Sequence, residues 1–314
     1  MHAVVIDKGE LHWEEHPDPV VGDTEIGVSV RAAGLNGADM FQRLGLYPAP
    51  PGSPANIPGL EMAGEVVSVG RQVTRFGVGD RVMAIVGGGG QAELCVVDES
   101  HALSIPDDTG WAEAGGFPET FSTAYDALFT QCGLGSGERL LVTGAAGGVG
   151  TAAIQLGRLA GATVVASVRD EKRRDALVGL GAHAAIDPAE VADHGPYDAV
   201  IELVGAESFP NALAALATGG RIAVIGIGSG AQVELDLRRV MGTRARISGS
   251  TLRARDRTAK AGVTDGVRRH VLPHLAAGEL TIPICDTFPF TDVGAAYDRF
   301  AAGSKLGKIV LVAE

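Results

Sequence analysis

The chain has 314 residues, long enough for two domains of ordinary size. Hydrophobic residues at 46% and charged residues at 20% exclude a disordered protein. A net charge of −12 argues against a nucleic-acid or anionic-membrane partner, because either favours a basic face.

Met1-His-Ala-Val-Val-Ile6 runs directly into strand-like sequence, without the basic segment and cleavage site of a secretory leader. Gly22 to Ala33 alternates through Ile26, Val28 and Val30, Glu65 to Val69 reads as a second strand, and Gly77 to Val86 as a turn feeding a third. Asn36 precedes a short helix predicted over 37–44, so it reads either as the cap of that helix or as an amide offered to a ligand. Tyr47 stands before Pro48 in a proline-rich loop over 47–59, where it either packs or faces a ligand.

From about residue 119 the texture changes to helix–strand alternation. The expected elements are helix 119–131, strand 140–143, helix 149–160, strand 163–168, helix 171–180 and strand 184–186. Strand 199–203, helix 208–217, strand 221–226 and strand 246–251 follow. Such alternation predicts a parallel, doubly wound sheet. After residue 258 come a helix over 264–277 and two strand-like runs, the last over 307–312. No apolar stretch reaches membrane-spanning length. Cys95, Cys132 and Cys285 are odd in number and far apart, which fits reduced thiols in a cytoplasmic protein.

The most informative stretch is Leu140-Leu-Val-Thr-Gly-Ala-Ala-Gly-Gly-Val-Gly150. An apolar run enters a turn almost stripped of side chains, and a small-residue helix leaves it. Against the fingerprint GxGxxG the positions are Ala145, Gly147 and Gly150, so alanine replaces the first glycine. Such a turn lets backbone N–H groups approach a pyrophosphate, and the helix start adds partial positive charge. The apolar run Thr163 to Val168 follows, as a dinucleotide-binding unit requires.

An NAD site needs an acidic side chain about 20 residues past the loop, for the adenosine ribose. Val168 stands there instead, followed by Arg169-Asp170-Glu171-Lys172-Arg173-Arg174. Four cations in six residues suit a ribose 2′-phosphate, although Asp170 and Glu171 also allow an ordinary solvated helix start. The expected cofactor is NADPH, its phosphate on Ser167, Arg169, Lys172 and Arg173. Gly226-Ile-Gly-Ser229, at a strand's C-terminal end, is either a ligand loop or an ordinary strand-ending loop. His270 and His274 are four apart on a predicted helix, but Pro273 intervenes and no HExxH glutamate accompanies them.

At this point the chain resembles the zinc-free quinone oxidoreductases of the medium-chain dehydrogenase/reductase family. The matching residues include Ala33-Gly-Leu-Asn-Gly-Ala-Asp39, Gly45-Leu-Tyr-Pro-Ala-Pro-Pro-Gly52, Pro58-Gly-Leu-Glu-Met-Ala-Gly64 and Thr123-Ala-Tyr125. Gly147 to Leu156, Leu252-Arg-Ala-Arg-Asp256 and Gly307-Lys-Ile309 also match. The resemblance implies an α/β protein: a Rossmann-type doubly wound parallel sheet plus a GroES-like, mostly-β catalytic domain formed by both chain ends. The boundaries expected are 1–118 for the first part of the catalytic domain, 119–257 for the dinucleotide-binding domain and 258–314 for the return. It also implies an active site in a cleft, and homodimers or homotetramers. In zinc-dependent relatives a cysteine takes the place of Asn36 and a histidine lies within the Gly59–Glu61 stretch, so no metal is expected here.

The chemistry implied is hydride transfer from NADPH to a quinone or similarly conjugated carbonyl. An enoyl or enone reductase and a cofactor-binding protein with little turnover are the alternatives. Asn36 and Tyr47 are the catalytic candidates. Asn36, Thr123, Ala146, Gly147, Gly148 and Val149 are candidates for cofactor binding, as are Ser167, Arg169, Lys172, Arg173, Gly205, Gly226, Ile227 and Leu252. Arg253 and Arg255 either approach the cofactor or sit in solvent. One departure is Pro188, which follows Asp187 where relatives often carry a tyrosine near the adenosine phosphate.

Overall fold

A computed structural model describes all 314 residues, Met1–Glu314. The chain forms two compact units, one of Met1–Thr120 with Leu252–Glu314 and the other of Phe121–Thr251.

The first unit begins with the hairpin β1 (His2–Asp7) and β2 (Glu10–Glu15), turned by Gly9. Then come β3 (Glu25–Gly34), α1 (Gly37–Arg43), β4 (Glu61–Val69), β5 (Arg81–Ile85), β6 (Leu94–Asp98), β7 (Ala102–Ser104) and α2 (Trp111–Gly116). Helix α3 (Pro118–Tyr125) carries the chain into the second unit.

There β8 (Arg139–Val142), α4 (Gly148–Leu159), β9 (Thr163–Ser167), α5 (Arg174–Gly179), β10 (Ala184–Ile186) and β11 (Tyr197–Glu202) alternate. Helix α6 (Phe209–Ala214), β12 (Leu216–Val224), α7 (Leu237–Thr243) and β13 (Arg246–Gly249) complete it. The chain then returns to the first unit through α8 (Arg257–His270), α9 (Leu272–Ala276), β14 (Ile284–Pro289), α10 (Val293–Ala301) and β15 (Lys308–Val312).

Strands of the first unit order as β14-β15-β3-β4-β5-β7, with β6 also paired to β3. Strand β3 is buried along most of its length because β4, β6 and β15 all pair with it. Its core includes Val28, Val30, Met62, Val82, Tyr297 and Leu311. The mostly antiparallel pairing explains the alternating pattern and short turns of the N-terminal sequence.

In the second unit all strand pairings are parallel, in the order β10-β9-β8-β11-β12-β13. Crossovers from β8 therefore run outward in both directions, and the order reverses between β8 and β11. Loops after those two strands flank the position where open α/β sheets bind ligands. The fold is the doubly wound α/β sheet with a GroES-like partner unit that the sequence implies.

Several boundaries differ from the sequence reading for local reasons. The helix expected over 264–277 starts at Arg257, because the Asp256 carboxylate accepts from Ala259 N–H. It breaks before α9, where Pro273 lacks the N–H needed to continue. The helix expected over 119–131 is α-helical only to Tyr125, and Asp126–Gln131 forms a wider π turn. Strand β12 begins at Leu216, inside the predicted helix 208–217, because Tyr197 on β11 pairs with Leu216.

Candidate functional site

Strand β8 ends in Thr143, and the turn Gly144–Gly147 leads into α4 with Gly147 at its N-cap. The first helical bond of α4 returns Thr151 N–H to Gly147 carbonyl at 2.9 Å. The N–H groups of the first turn, at Gly148, Val149 and Gly150, therefore have no intrahelical acceptor and face whatever lies beyond the helix end. Gly150 is fixed by close approach: a Cβ there would lie 2.5 Å from Ala145 carbonyl oxygen. Gly147 differs, since its added Cβ would meet nothing closer than 3.6 Å. The turn is thus pressed against its own helix at Gly150 and open at Gly147, which fits a pyrophosphate.

The neighbouring loops are tied together by Glu202 at the end of β11, a residue that sequence reasoning missed. It is fully buried. Its Oε1 accepts from Thr143 Oγ1 (3.0 Å), Val204 N–H (2.8 Å), Gly205 N–H (2.9 Å) and Ser208 Oγ (2.6 Å). The loop after β12 docks on this one: Ser229 N–H donates to Val204 carbonyl at 2.9 Å and Ala206 N–H to Gly230 carbonyl at 3.0 Å. A Cβ on Gly226 would lie 2.2 Å from Leu203 carbonyl oxygen, so glycine is required by this docking. Ile227 points its side chain outward, 47% exposed. The segment 226–229 is therefore held as part of the loop cluster at the C-terminal ends of β8, β11 and β12.

At the end of β9 stands buried Ser167, whose carbonyl accepts from Ala145 N–H at 3.1 Å. The first carboxylate after it, Asp170, is engaged locally: it accepts from Lys172 N–H at 3.1 Å and pairs with Arg173 at 3.4 Å. Arg174 pairs with Asp187 at 3.2 Å. Arg169 and Lys172 are exposed, and their side chains make no ion pair within the chain. The basic run thus divides into two neutralised arginines and two available cations. Thr123 is buried on α3. Ala146, Gly148 and Val149 are partly exposed in the turn and helix start.

Three predicted residues, Asn36, Tyr47 and Leu252, belong to the first unit. Leu252 is buried against Ile85 and Val263. Asn36 sits at the N-cap of α1 inside a closed polar cluster. Its Nδ2 donates to Glu61 Oε1 at 2.9 Å and to Gly34 carbonyl at 3.3 Å. Its Oδ1 accepts from Lys308 Nζ at 2.7 Å. Lys308 in turn donates to Leu35 carbonyl at 2.6 Å and pairs with Glu61 Oε1 at 2.7 Å. Both amide protons of Asn36 are committed, so what the side chain can still offer is the second lone pair of Oδ1.

Asp39 completes the cluster. Its carboxylate accepts from Asn36 N–H at 2.8 Å and Gly59 N–H at 3.1 Å. Burial pushes its pKa up to about 6, against the lowering effect of those two bonds and of Lys308. Glu61 and Lys308, like Glu202, are residues of the candidate site that sequence reasoning left unassigned. The signal was present, a glutamate and a lysine inside the family-like runs 58–64 and 307–309, but nothing in the sequence brings them together.

Tyr47 is half-buried, and the Arg253 guanidinium carbon lies 5.2 Å from its ring centroid. Burial and the nearby Glu119 carboxylate push the Tyr47 phenol above its ordinary pKa, while Arg253 opposes them. The phenol accordingly keeps its proton at neutral pH. His274 pairs with Glu279 at 2.5 Å. No three His, Cys, Asp or Glu side chains gather as a metal ion would need, and no helix is long and apolar enough to cross a membrane.

Two family models match the chain: an alcohol dehydrogenase GroES-like domain over residues 22–129 and a zinc-binding dehydrogenase domain over residues 148–264. The chain is 34% identical over 221 residues to a quinone oxidoreductase-like protein 2 homolog of Nematostella vectensis, covering 67% of this chain and 60% of that protein. It is 31% identical over 245 residues to the quinone oxidoreductase of Lama guanicoe, covering 74% of this chain and 73% of that one. Among solved structures, the CurK enoyl reductase superposes with a TM-score of 0.85 at 25% identity, over 100% of this chain and 97% of the other.

Proposed function

The chain belongs to the quinone oxidoreductase group of the medium-chain dehydrogenase/reductase family, and from that premise we propose that it is an NADPH-dependent, zinc-independent reductase of a quinone or similarly conjugated carbonyl. Oxidoreductase chemistry with a nicotinamide dinucleotide is the family's common property. The finer reading rests on the residues of this chain.

One observation carries the cofactor choice. Where an NAD site needs a carboxylate, this chain has Ser167 and Val168, and the first acid beyond them is spent on Lys172 N–H and Arg173. Arg169 and Lys172 remain available for the two negative charges of a 2′-phosphate. The first-turn N–H groups of α4 would receive the pyrophosphate, which Glu202 supports indirectly by holding the adjoining loops. When bound, NADPH supplies the hydride. Asn36 Oδ1 is suited to accept from a ribose or substrate hydroxyl. The protonated Tyr47 phenol is suited to donate to an oxygen that gains negative charge. An acceptor activated by conjugation is favoured because the Asn36 cluster is internally satisfied and offers little further polarising power. The absence of a cysteine at Asn36 and of a histidine within Gly59–Glu61 supports zinc-independence. A cytoplasmic, homodimeric or homotetrameric protein is part of the same reading. The buried thiols of Cys95, pushed up to about 12, and Cys132, pushed up to about 11, fit inert reduced cysteines.

The decisive assay is NADPH consumption with an ortho-quinone, with NADH alongside. NADPH-selective turnover is expected, and the Arg169→Ala/Lys172→Ala variant should lose roughly tenfold to a hundredfold of that selectivity. Arg173 is left intact because Asp170 already neutralises it. The likeness to the CurK enoyl reductase favours a second reading, reduction of a C=C bond beside a carbonyl. Turnover on enones but not quinones would select it. Tight NADPH binding with turnover on neither would sink both.

A further inference from the structure

Arg253 is only 2% exposed, yet its side chain reaches three separate segments of the first unit. Nε donates to Gly87 carbonyl at 2.8 Å, Nη1 to Tyr47 carbonyl at 2.8 Å, and Nη2 to Gln42 Oε1 at 2.6 Å. The guanidinium also lies 5.2 Å from the Tyr47 ring centroid. One planar fork thus holds the Tyr47 backbone and faces its ring. Gln42 extends the strap, since its Nε2 donates to Ala55 carbonyl at 3.3 Å, on the far side of the same loop.

The choice of residue is informative. All three hydrogen-bond partners are neutral oxygens, and the nearby acids Asp39 and Glu119 offset only part of the cost of burying the charge. Burying a charge whose direct partners are all neutral is costly, and a neutral side chain would serve better if only the loop needed tying. The charge has a use at Tyr47, where a cation facing the ring counters burial and the Glu119 carboxylate and so favours negative charge that develops at the phenol or on an oxygen it contacts. The loop itself needs external support. Residues 44–60 contain no helix or strand, and Leu44 and Leu46 beside Tyr47 are 67% and 69% exposed, so packing does little to fix them.

We propose that Arg253 is a positioning residue for the reduction: its fork fixes the carbonyl and ring of Tyr47, so that the phenol, which has no hydrogen-bond partner within the chain, is presented to the acceptor in one orientation over a buried positive charge. The reactive role rests on the function proposed above, whereas the clamp does not.

The experiment pairs hydrogen exchange with steady-state kinetics on the full chain, for Arg253→Ala, Arg253→Lys, Gln42→Leu and Tyr47→Phe. Arg253→Ala is expected to raise amide exchange across 42–53 and 87–90 by about tenfold or more. It should lower kcat by roughly tenfold to a hundredfold and leave the KM for NADPH within about twofold. Arg253→Lys keeps the charge but not the fork, so it should restore little of either. Tyr47→Phe/Arg253→Ala should be no slower than the worse single variant, since both act through one group. Gln42→Leu removes one arm and should move the same segments less, which preserves the test if Arg253→Ala fails to fold. Unchanged exchange in both segments would overturn the clamp. Additive kinetic losses, or full rescue by lysine, would overturn the action through Tyr47. If the wild-type protein turns over neither quinones nor enones, the proposed function fails, while the exchange data still decide the clamp.

Discussion

Asn36 shows how one side chain can be a helix cap by position and a network member by bonding. Its amide is shared among Glu61, Gly34 and Lys308, so the pair Glu61–Lys308 determines which way it points. Both charges are almost completely buried. Lys308→Met would leave a buried carboxylate without its cation, and about 3–5 kcal/mol of stability should be lost in urea unfolding. Lys308→Met/Glu61→Gln should lose clearly less than the sum of the single variants, and simple additivity would refute the pairing. Asp39 makes a pH prediction. Its pKa is raised to about 6 from an ordinary 3.8, so between those values the native state binds a proton the unfolded chain has released. The associated stability is fully present below pH 3.8 and is lost as pH rises through about 6, on the order of 3 kcal/mol. Asp39→Asn should therefore flatten the stability curve over that window, and parallel curves for both proteins would exclude Asp39 as the source.

Helix α4 is the element whose geometry was most legible. Its entering strand, glycine turn and exiting small residues are adjacent in sequence, and each is dictated by local sterics. Gly150→Ala places a methyl against the Ala145 backbone, which should cost about 1–3 kcal/mol through displacement of the turn. NADPH affinity should fall with it, as a titration would read, and unchanged binding would mean that the turn does not touch the cofactor. Helix α8 was legible in kind but not in extent. Its true start depends on the Asp256 cap, whereas its buried face begins only later, at Val263, Thr264 and Val267. The basic segment 169–174 divides further than its composition suggested, because two carboxylates select their own arginines. Which cations stay available is decided by that pairing, not by the count.

At the scale of the molecule, the reversal of strand order between β8 and β11 places the glycine turn beside the Glu202 loops. A ligand bound there stabilises the native state by mass action. NADPH at a hundred times its Kd should add about 2.7 kcal/mol, with less from NADH at the same concentration. The gain is read as a rise in melting temperature together with slower exchange at Gly148 to Gly150. Equal stabilisation by both dinucleotides would remove the argument from Arg169 and Lys172.

The sequence by itself determined the α/β class, the dinucleotide-type turn and the absence of a carboxylate at the end of β9. These are properties of adjacent residues, read through periodicity, turn sterics and spacing. Family-like motifs extended that reading to the GroES-like unit and to Asn36 and Tyr47. Only the tertiary structure decided that Asn36 has no donor left, that Arg253 lies buried against Tyr47 instead of in solvent, and that Glu61 and Lys308 hold Asn36 while Glu202 holds the loop after β11. Each of those facts depends on groups from distant segments competing for the same hydrogen bonds in a water-poor interior. That competition is settled by packing, and local sequence carries no record of it.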